Sequence, residues 1–143
     1  MTPVGSDNAT HLVDALAVDR VAGLLRRAVR DALEGSDLTL DQWRVIDHLA
    51  AVEEAAMSSV SALTLIPGPS LTRTVDRLVD AALVYRTLDS YDRRRMMVRL
   101  SERGVEKHRA LAPSVSAALQ EVFSPLTSAE MWAFSALLGK LSG

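Results

Sequence analysis

Residues 67–103, PGPSLTRTVDRLVDAALVYRTLDSYDRRRMMVRLSER, change hydrophobic period midway, and few folds accommodate that order. In residues 70–83, Leu71, Val75, Leu78, Val79 and Ala82 recur at spacings of three and four, with Thr72, Arg73, Asp76, Arg77 and Asp80 between them. This spacing predicts an amphipathic helix that buries one side and offers arginines on the other. Residues 84–88 and 96–100 instead carry β-branched, aromatic and apolar side chains, separated by the polar run DSYDRRR. They predict a β-hairpin with a basic tip.

Charge is distributed to match. The chain carries a net −2, yet residues 67–103 hold eight arginines against five acids, a surplus of three, which leaves the remainder five acids in excess. Positive charge gathered on a helix and the hairpin after it suits an oriented binder of phosphate, with the rest of the chain repelling it. A plainer reading of the helix arginines is that they are solvated or paired with Asp76 and Asp80.

The other segments read as helices. Residues 10–33 place Leu12, Ala15, Leu16, Val18, Ala22, Leu24, Leu25, Val29 and Leu33 on a face too broad for one partner surface, and Gly35 is a candidate C′ residue. Thr39 and Gln42 form a capping box for a helix ending near Ala51, with Leu40, Trp43, Ile46 and Leu49 as its buried stripe. Ser101 caps a helix to about Phe123 in which Pro113 predicts a kink, and Thr127 with Glu130 caps a last helix to about Leu141. Met131, Trp132, Phe134, Leu137, Leu138 and Leu141 are too many apolar residues for a short terminal helix facing one neighbour, and they predict a second chain.

A helix followed at once by an arginine-tipped hairpin is how a winged helix-turn-helix is written in sequence. DRRRMMVRLSERG resembles the wing and following helix start of MarR-type regulators, with Asp92, Arg94, Leu100, Ser101 and Gly104 at the matching positions. SLTRTVDRLVDAALV is similar to that family's recognition helix, with Arg73, Val75, Asp76, Arg77 and Leu78 in register, and LTLDQWRVIDHLA resembles the helix preceding the helix-turn-helix. The resemblance runs from about Thr10 to the end. It implies a mainly α fold with a small β wing. In that organisation residues 1–9 are a disordered N-terminus, 10–36 and 104–143 are dimerisation helices, and 37–103 are the winged helix-turn-helix. It also implies a short helix over residues 57–64, with Val60 and Leu63 facing the core and Leu65 in the turn.

Function follows from the same resemblance. The expected activity is that of a homodimeric, ligand-responsive repressor on pseudo-palindromic double-stranded DNA. Either Arg93 or Arg94 enters a minor groove with Asp92 orienting the loop, and Arg95 and Arg86 lie on phosphates. Many relatives bind a small aromatic or anionic effector between the dimerisation helices and the winged region. His11, Trp43, Arg44, Asp47 and His48 lie on or near the helices bordering that junction. The sequence departs from the family at Pro67, Gly68 and Pro69, where relatives place polar or basic residues. None of the three can hydrogen-bond a base through its side chain, so readout falls to Ser70, Thr72, Arg73, Thr74 and Arg77. That departure sustains a second reading, a winged-helix dimer without sequence-specific DNA binding that acts as a ligand-binding or protein-interaction module. Ala82 stands where relatives commonly have glycine, and an ordinary helical or extended backbone is expected there.

Other classes find little support. At 143 residues and 48% hydrophobic content, the chain can build one modest core. It has no cysteine, which removes disulfides, thiolate metal sites and thiol redox sensing. His11, His48 and His108 are isolated, so no metal or other cofactor is expected. There is no Gly-rich phosphate loop, nucleophile elbow or cluster of histidine with acid and nucleophile, and no enzyme is expected. The lack of a membrane-length apolar run and of a secretory N-terminus predicts a soluble, cytoplasmic protein.

Overall fold

A computed structural model describes residues 14–143. The expectation of disorder for residues 1–9 and the first turn of the predicted N-terminal helix lie outside the described residues. α1 (Ala15–Ala32) opens on Asp14, whose carboxylate accepts from the Leu16 amide at 2.9 Å. Its C-cap is Leu33, so C′ falls on Glu34, and the predicted C′ residue, Gly35, lies one position beyond it with a left-handed φ of 80°.

α2 (Leu40–Ala51) begins with the expected capping box. Gln42 N donates to Thr39 Oγ1 (3.2 Å) and Thr39 N to Gln42 Oε1 (2.9 Å). This helix is shared between two cores. Val45, Ile46 and Leu49 point into the larger one with Val60, Leu71, Val75, Leu78, Val84 and Val98. Trp43 points the other way and packs with Val29, Leu33 and Val115. α2 therefore ties the winged region to the long helices, because a one-sided stripe could not have filled both cores.

β1 (Ala55–Ala56) leads directly into α3 (Met57–Thr64). Val60 and Thr64 are the buried residues of α3, and the Thr64 hydroxyl is satisfied by the Val60 carbonyl at 2.6 Å. Leu63 was expected in the core and is 67% exposed. With only two turns, α3 buries the i, i+4 pair Val60 and Thr64 most fully, and position 63 falls on the flank of that pair. Leu65 adopts φ 59° in the turn that follows.

α4 (Gly68–Asp80) starts with Pro67 as N-cap and Pro69 in its first turn, where a missing amide costs nothing. Leu71, Val75 and Leu78 are buried, as the spacing predicts. At its C-terminus Ala82 N donates to Val79 O (2.9 Å) and Leu83 N to Leu78 O (2.9 Å), the Schellman pattern. That pattern requires a left-handed residue between them, and Ala82 supplies it with φ 58°, against the expectation of ordinary geometry. The turn redirects the chain into the sheet, and its two hydrogen bonds, with a third from Ser101 Oγ to Ala82 O (2.7 Å), outweigh the side-chain strain. Ala82→Gly is accordingly expected to stabilise the fold by about 1 kcal/mol, readable as a rise in thermal midpoint of roughly 3 °C by calorimetry.

β2 (Val84–Leu88) and β3 (Met96–Leu100) pair antiparallel from Val84↔Leu100 to Leu88↔Met96, bounding the seven-residue tip as predicted. β1 covers the other edge of β3 through Ala55↔Val98 and Ala56↔Met97, giving the order β1-β3-β2. α5 (Glu102–Val122) is capped by Ser101, whose Oγ accepts from Gly104 N at 2.9 Å, and continues unbroken past Pro113. α6 (Ser128–Ser142) carries the second predicted capping box, with Glu130 N to Thr127 Oγ1 at 3.2 Å and Thr127 N to Glu130 Oε2 at 2.8 Å. Phe134 packs on Phe123 (ring centroids 5.7 Å), but no α6 residue is buried. Among the described residues no helix is long and apolar enough to cross a membrane.

Candidate nucleic-acid interface

Burial of Leu71, Val75 and Leu78 fixes which side of α4 faces out, because a 100° step per residue puts Arg73 opposite them with Ser70 and Arg77 alongside. Arg73 and Arg77 are exposed, and Arg73 Nη2 lies 3.4 Å from Ser70 Oγ. Thr72 Oγ1 donates to Gly68 O (3.1 Å) and Thr74 Oγ1 to Ser70 O (2.9 Å), so each hydroxyl's proton is committed to the helix and its oxygen is left to accept. Thr72 is exposed, whereas Ser70 and Thr74 are half-buried, Thr74 beside the α1–α2 turn.

The wing is braced by its own acids. Asp92 Oδ1 accepts from the Arg94 backbone amide (3.0 Å) and from Arg94 Nε (3.1 Å), leaving a side chain that is 92% exposed. These hydrogen bonds, with the charge of Arg95 nearby, hold the Asp92 carboxyl below its ordinary range. A depressed value keeps this acid ionised as pH falls toward that range, so the brace persists through neutral and mildly acidic solution. Arg93 is exposed and has no ion pair among the described residues.

Two arginines assigned to phosphates are engaged within the protein. Arg86 on β2 pairs with Asp76 on α4, and Arg95 Nη1 lies 3.5 Å from Asp89. Asp76 thus finds its partner on the wing rather than among the arginines of its own helix. The Arg86–Asp76 bridge sets α4 and the hairpin side by side, which a sequence-local reading could not anticipate. Thr87 Oγ1 adds a second tie at 2.6 Å to Glu54, beside β1.

Where α1, α2, α3 and α5 meet, a cleft of about 630 Å³ is lined by Trp43, Arg44, Asp47 and His48, four of the five predicted effector residues. His11 lies outside the described residues. Sequence reasoning passed over His108 on α5. Its Nε2 is 2.9 Å from Asp47 Oδ1 and its ring stacks on Trp43, centroids 5.2 Å apart and planes 9° from parallel. With 61 residues separating His108 from Asp47, no spacing pattern could have signalled the pair.

A helix with outward arginines, a short helix packed before it and a braced two-stranded wing after it define a winged helix-turn-helix protein. The MarR family profile matches residues 36–95, covering α2 through the wing tip. The chain is 28% identical over 113 residues to the HTH-type transcriptional regulator FarR of Neisseria gonorrhoeae, spanning 79% of this chain and 77% of that protein. Its fold matches NadR in complex with 4-hydroxyphenylacetate (26% identity, TM-score 0.81, 99% of this chain and 98% of that one). It also matches a mutant MarR from E. coli complexed with operator DNA (24% identity, TM-score 0.77, 88% and 91%). Over residues 36–95 the chain thus resembles the MarR family, and FarR, which it matches over most of its length, is a transcriptional regulator.

Proposed function

We propose that this protein is a homodimeric, ligand-responsive repressor that acts in the cytoplasm on pseudo-palindromic DNA. The observation that carries the DNA-binding part is the Arg86–Asp76 bridge, which joins the outward half of α4 to the wing and lets both address one duplex. Arg73 and Arg77 contact base edges or phosphates in the major groove, while Ser70, Thr72 and Thr74 contribute hydroxyl oxygens. Arg94, oriented by Asp92, enters the adjacent minor groove with Arg93 beside it. Residues 37–103 form the DNA-binding region, and α1, α5 and α6 form the dimerisation region. Exposed Leu16, Val18 and Leu24 on α1 and Trp132, Leu137 and Leu141 on α6 support the dimer, since they leave apolar surface uncovered in a single chain.

The effector is a small aromatic acid. Arg44 and His48 supply positive or hydrogen-bonding groups at the cleft, and Leu25, Leu65 and Leu119 supply apolar surface for a ring, while Trp43 is buried and already stacked on His108. NadR, which shares the fold, holds 4-hydroxyphenylacetate.

The test is a gel-shift titration against DNA flanking the protein's own coding region, supplemented by selection from a randomised duplex pool. A pseudo-palindrome of about 20 base pairs is expected, from half-sites roughly 34 Å apart. Absence of any shift at low salt would favour the second reading, a winged-helix dimer that binds ligand or protein without reading DNA. Arg94→Ala is expected to weaken binding and flatten the slope of log affinity against log salt by about 1.8 for the dimer, one phosphate's worth of released counterion per protomer. Arg86→Ala should instead lose specific affinity with little change in slope, because Asp76 already neutralises that guanidinium. Anisotropy titrations across a salt series measure both.

A further inference from the structure

The tip of the wing carries one side chain that the electrostatic account leaves unused. Tyr91 is fully exposed, at 102% of its reference area, in a chain with only two tyrosines. The loop does not leave it there by slackness. Tyr91 N donates to Asp89 Oδ1 at 2.8 Å, and Asp89 N donates to Arg95 O at 3.0 Å. Arg95 N donates to Asp92 O at 2.9 Å. The Asp89 side chain is only 15% exposed and also draws Arg95 inward. Asp89 and Asp92 therefore brace the two sides of the loop, with Tyr91, Arg93 and Arg94 left projecting.

We infer that Tyr91 is a third DNA contact of the wing, packing its ring against the deoxyribose wall of the minor groove that receives the arginine, with Asp89 as its positioning residue. This inference rests on the DNA-binding reading above. The ring lies two residues before Arg93 and three before Arg94, so a surface close enough to accept either guanidinium also meets it. Sugar C–H groups supply an apolar face for the ring, and the hydroxyl stays at the wet rim, an arrangement that suits tyrosine's apolar body and polar end. The contact adds affinity without neutralising a phosphate, which sets it apart from Arg93 and Arg94 at the wing tip.

The experiment uses the full chain and the duplex recovered by the selection above, titrated across a salt series. Tyr91→Ala is expected to weaken binding about tenfold with an unchanged salt slope, whereas Tyr91→Phe keeps wild-type affinity and Arg94→Ala flattens the slope. Because Tyr91 touches no core residue, its variants should melt with the wild type. Asp89→Ala is expected to reproduce part of the loss while steepening the slope, as Arg95 is released toward phosphate. Tyr91→Ala within twofold of wild type would overturn the inference, as would an equal loss in Tyr91→Phe, which would assign the effect to the hydroxyl. Failure of the wild type itself to bind any selected duplex would overturn the DNA-binding reading and this contact with it.

Discussion

Gly104→Ala is expected to cost roughly 3 kcal/mol, a fall in thermal midpoint on the order of 10 °C. A β-carbon at this position would stand 2.1 Å from Leu83 O and 3.1 Å from Leu83 C, both backbone atoms that cannot swing aside, and 3.2 Å from Leu100 Cδ2. The first turn of α5 rests directly on the turn that ends α4. Ser101 N donates to Leu83 O (3.0 Å), Ser101 Oγ donates to Ala82 O, and Gly104 N donates back to Ser101 Oγ. Relief of the clash requires α5 to lift away and lose these bonds together. Thermal unfolding followed by circular dichroism measures the effect, and a midpoint within about 2 °C of wild type would show that the junction is looser than described. Because Gly104 and Ala82 meet at this turn, their substitutions should not be additive, and adding Ala82→Gly should recover less than it gives alone.

Leu137→Asp is expected to convert the dimer to monomer and to reduce operator affinity by about 10²–10⁴-fold. Leu137 is 57% exposed in the middle of the α6 stripe, with Leu138 and Leu141 on the same side, so a carboxylate there would be buried without a partner if a second chain covered it. In a dimer the second half-site binds at the high effective concentration set by the first, and a monomer forfeits that gain while keeping each reading head intact. Sedimentation should report the change of mass, and anisotropy the loss of affinity with a single half-site still bound weakly. A Leu137→Asp protein that stays dimeric would remove α6 from the interface. One that becomes monomeric yet binds the full site normally would separate dimerisation from DNA recognition.

Much of the fold was legible because it is locally encoded. The change of period at residues 84–100, the two capping boxes at Thr39 and Thr127 and the serine cap at Ser101 each depend on residues within one or two turns of each other. The errors have equally definite causes. The resemblance puts Leu63 in the core, and an apolar side chain in a helix of eight residues carries no azimuth that could correct it. β1 was missed because two alanines have no strand signature, and they pair only because β3 presents an open edge. Ala82 took a left-handed backbone because a Schellman turn and Ser101 together favour it over the residue's own preference.

The candidate site divides the same way. Sequence alone set the outward arginines of α4, the basic tip of the hairpin and the apolar surplus of the end helices, since period and charge are properties of neighbours along the chain. Tertiary structure decided that Arg86 belongs to Asp76, that Arg95 turns back to Asp89, and that Asp47 and Trp43 meet His108. Such pairings depend on how separate elements pack, and a guanidinium or imidazole carries no mark in sequence of the distant carboxylate it will find.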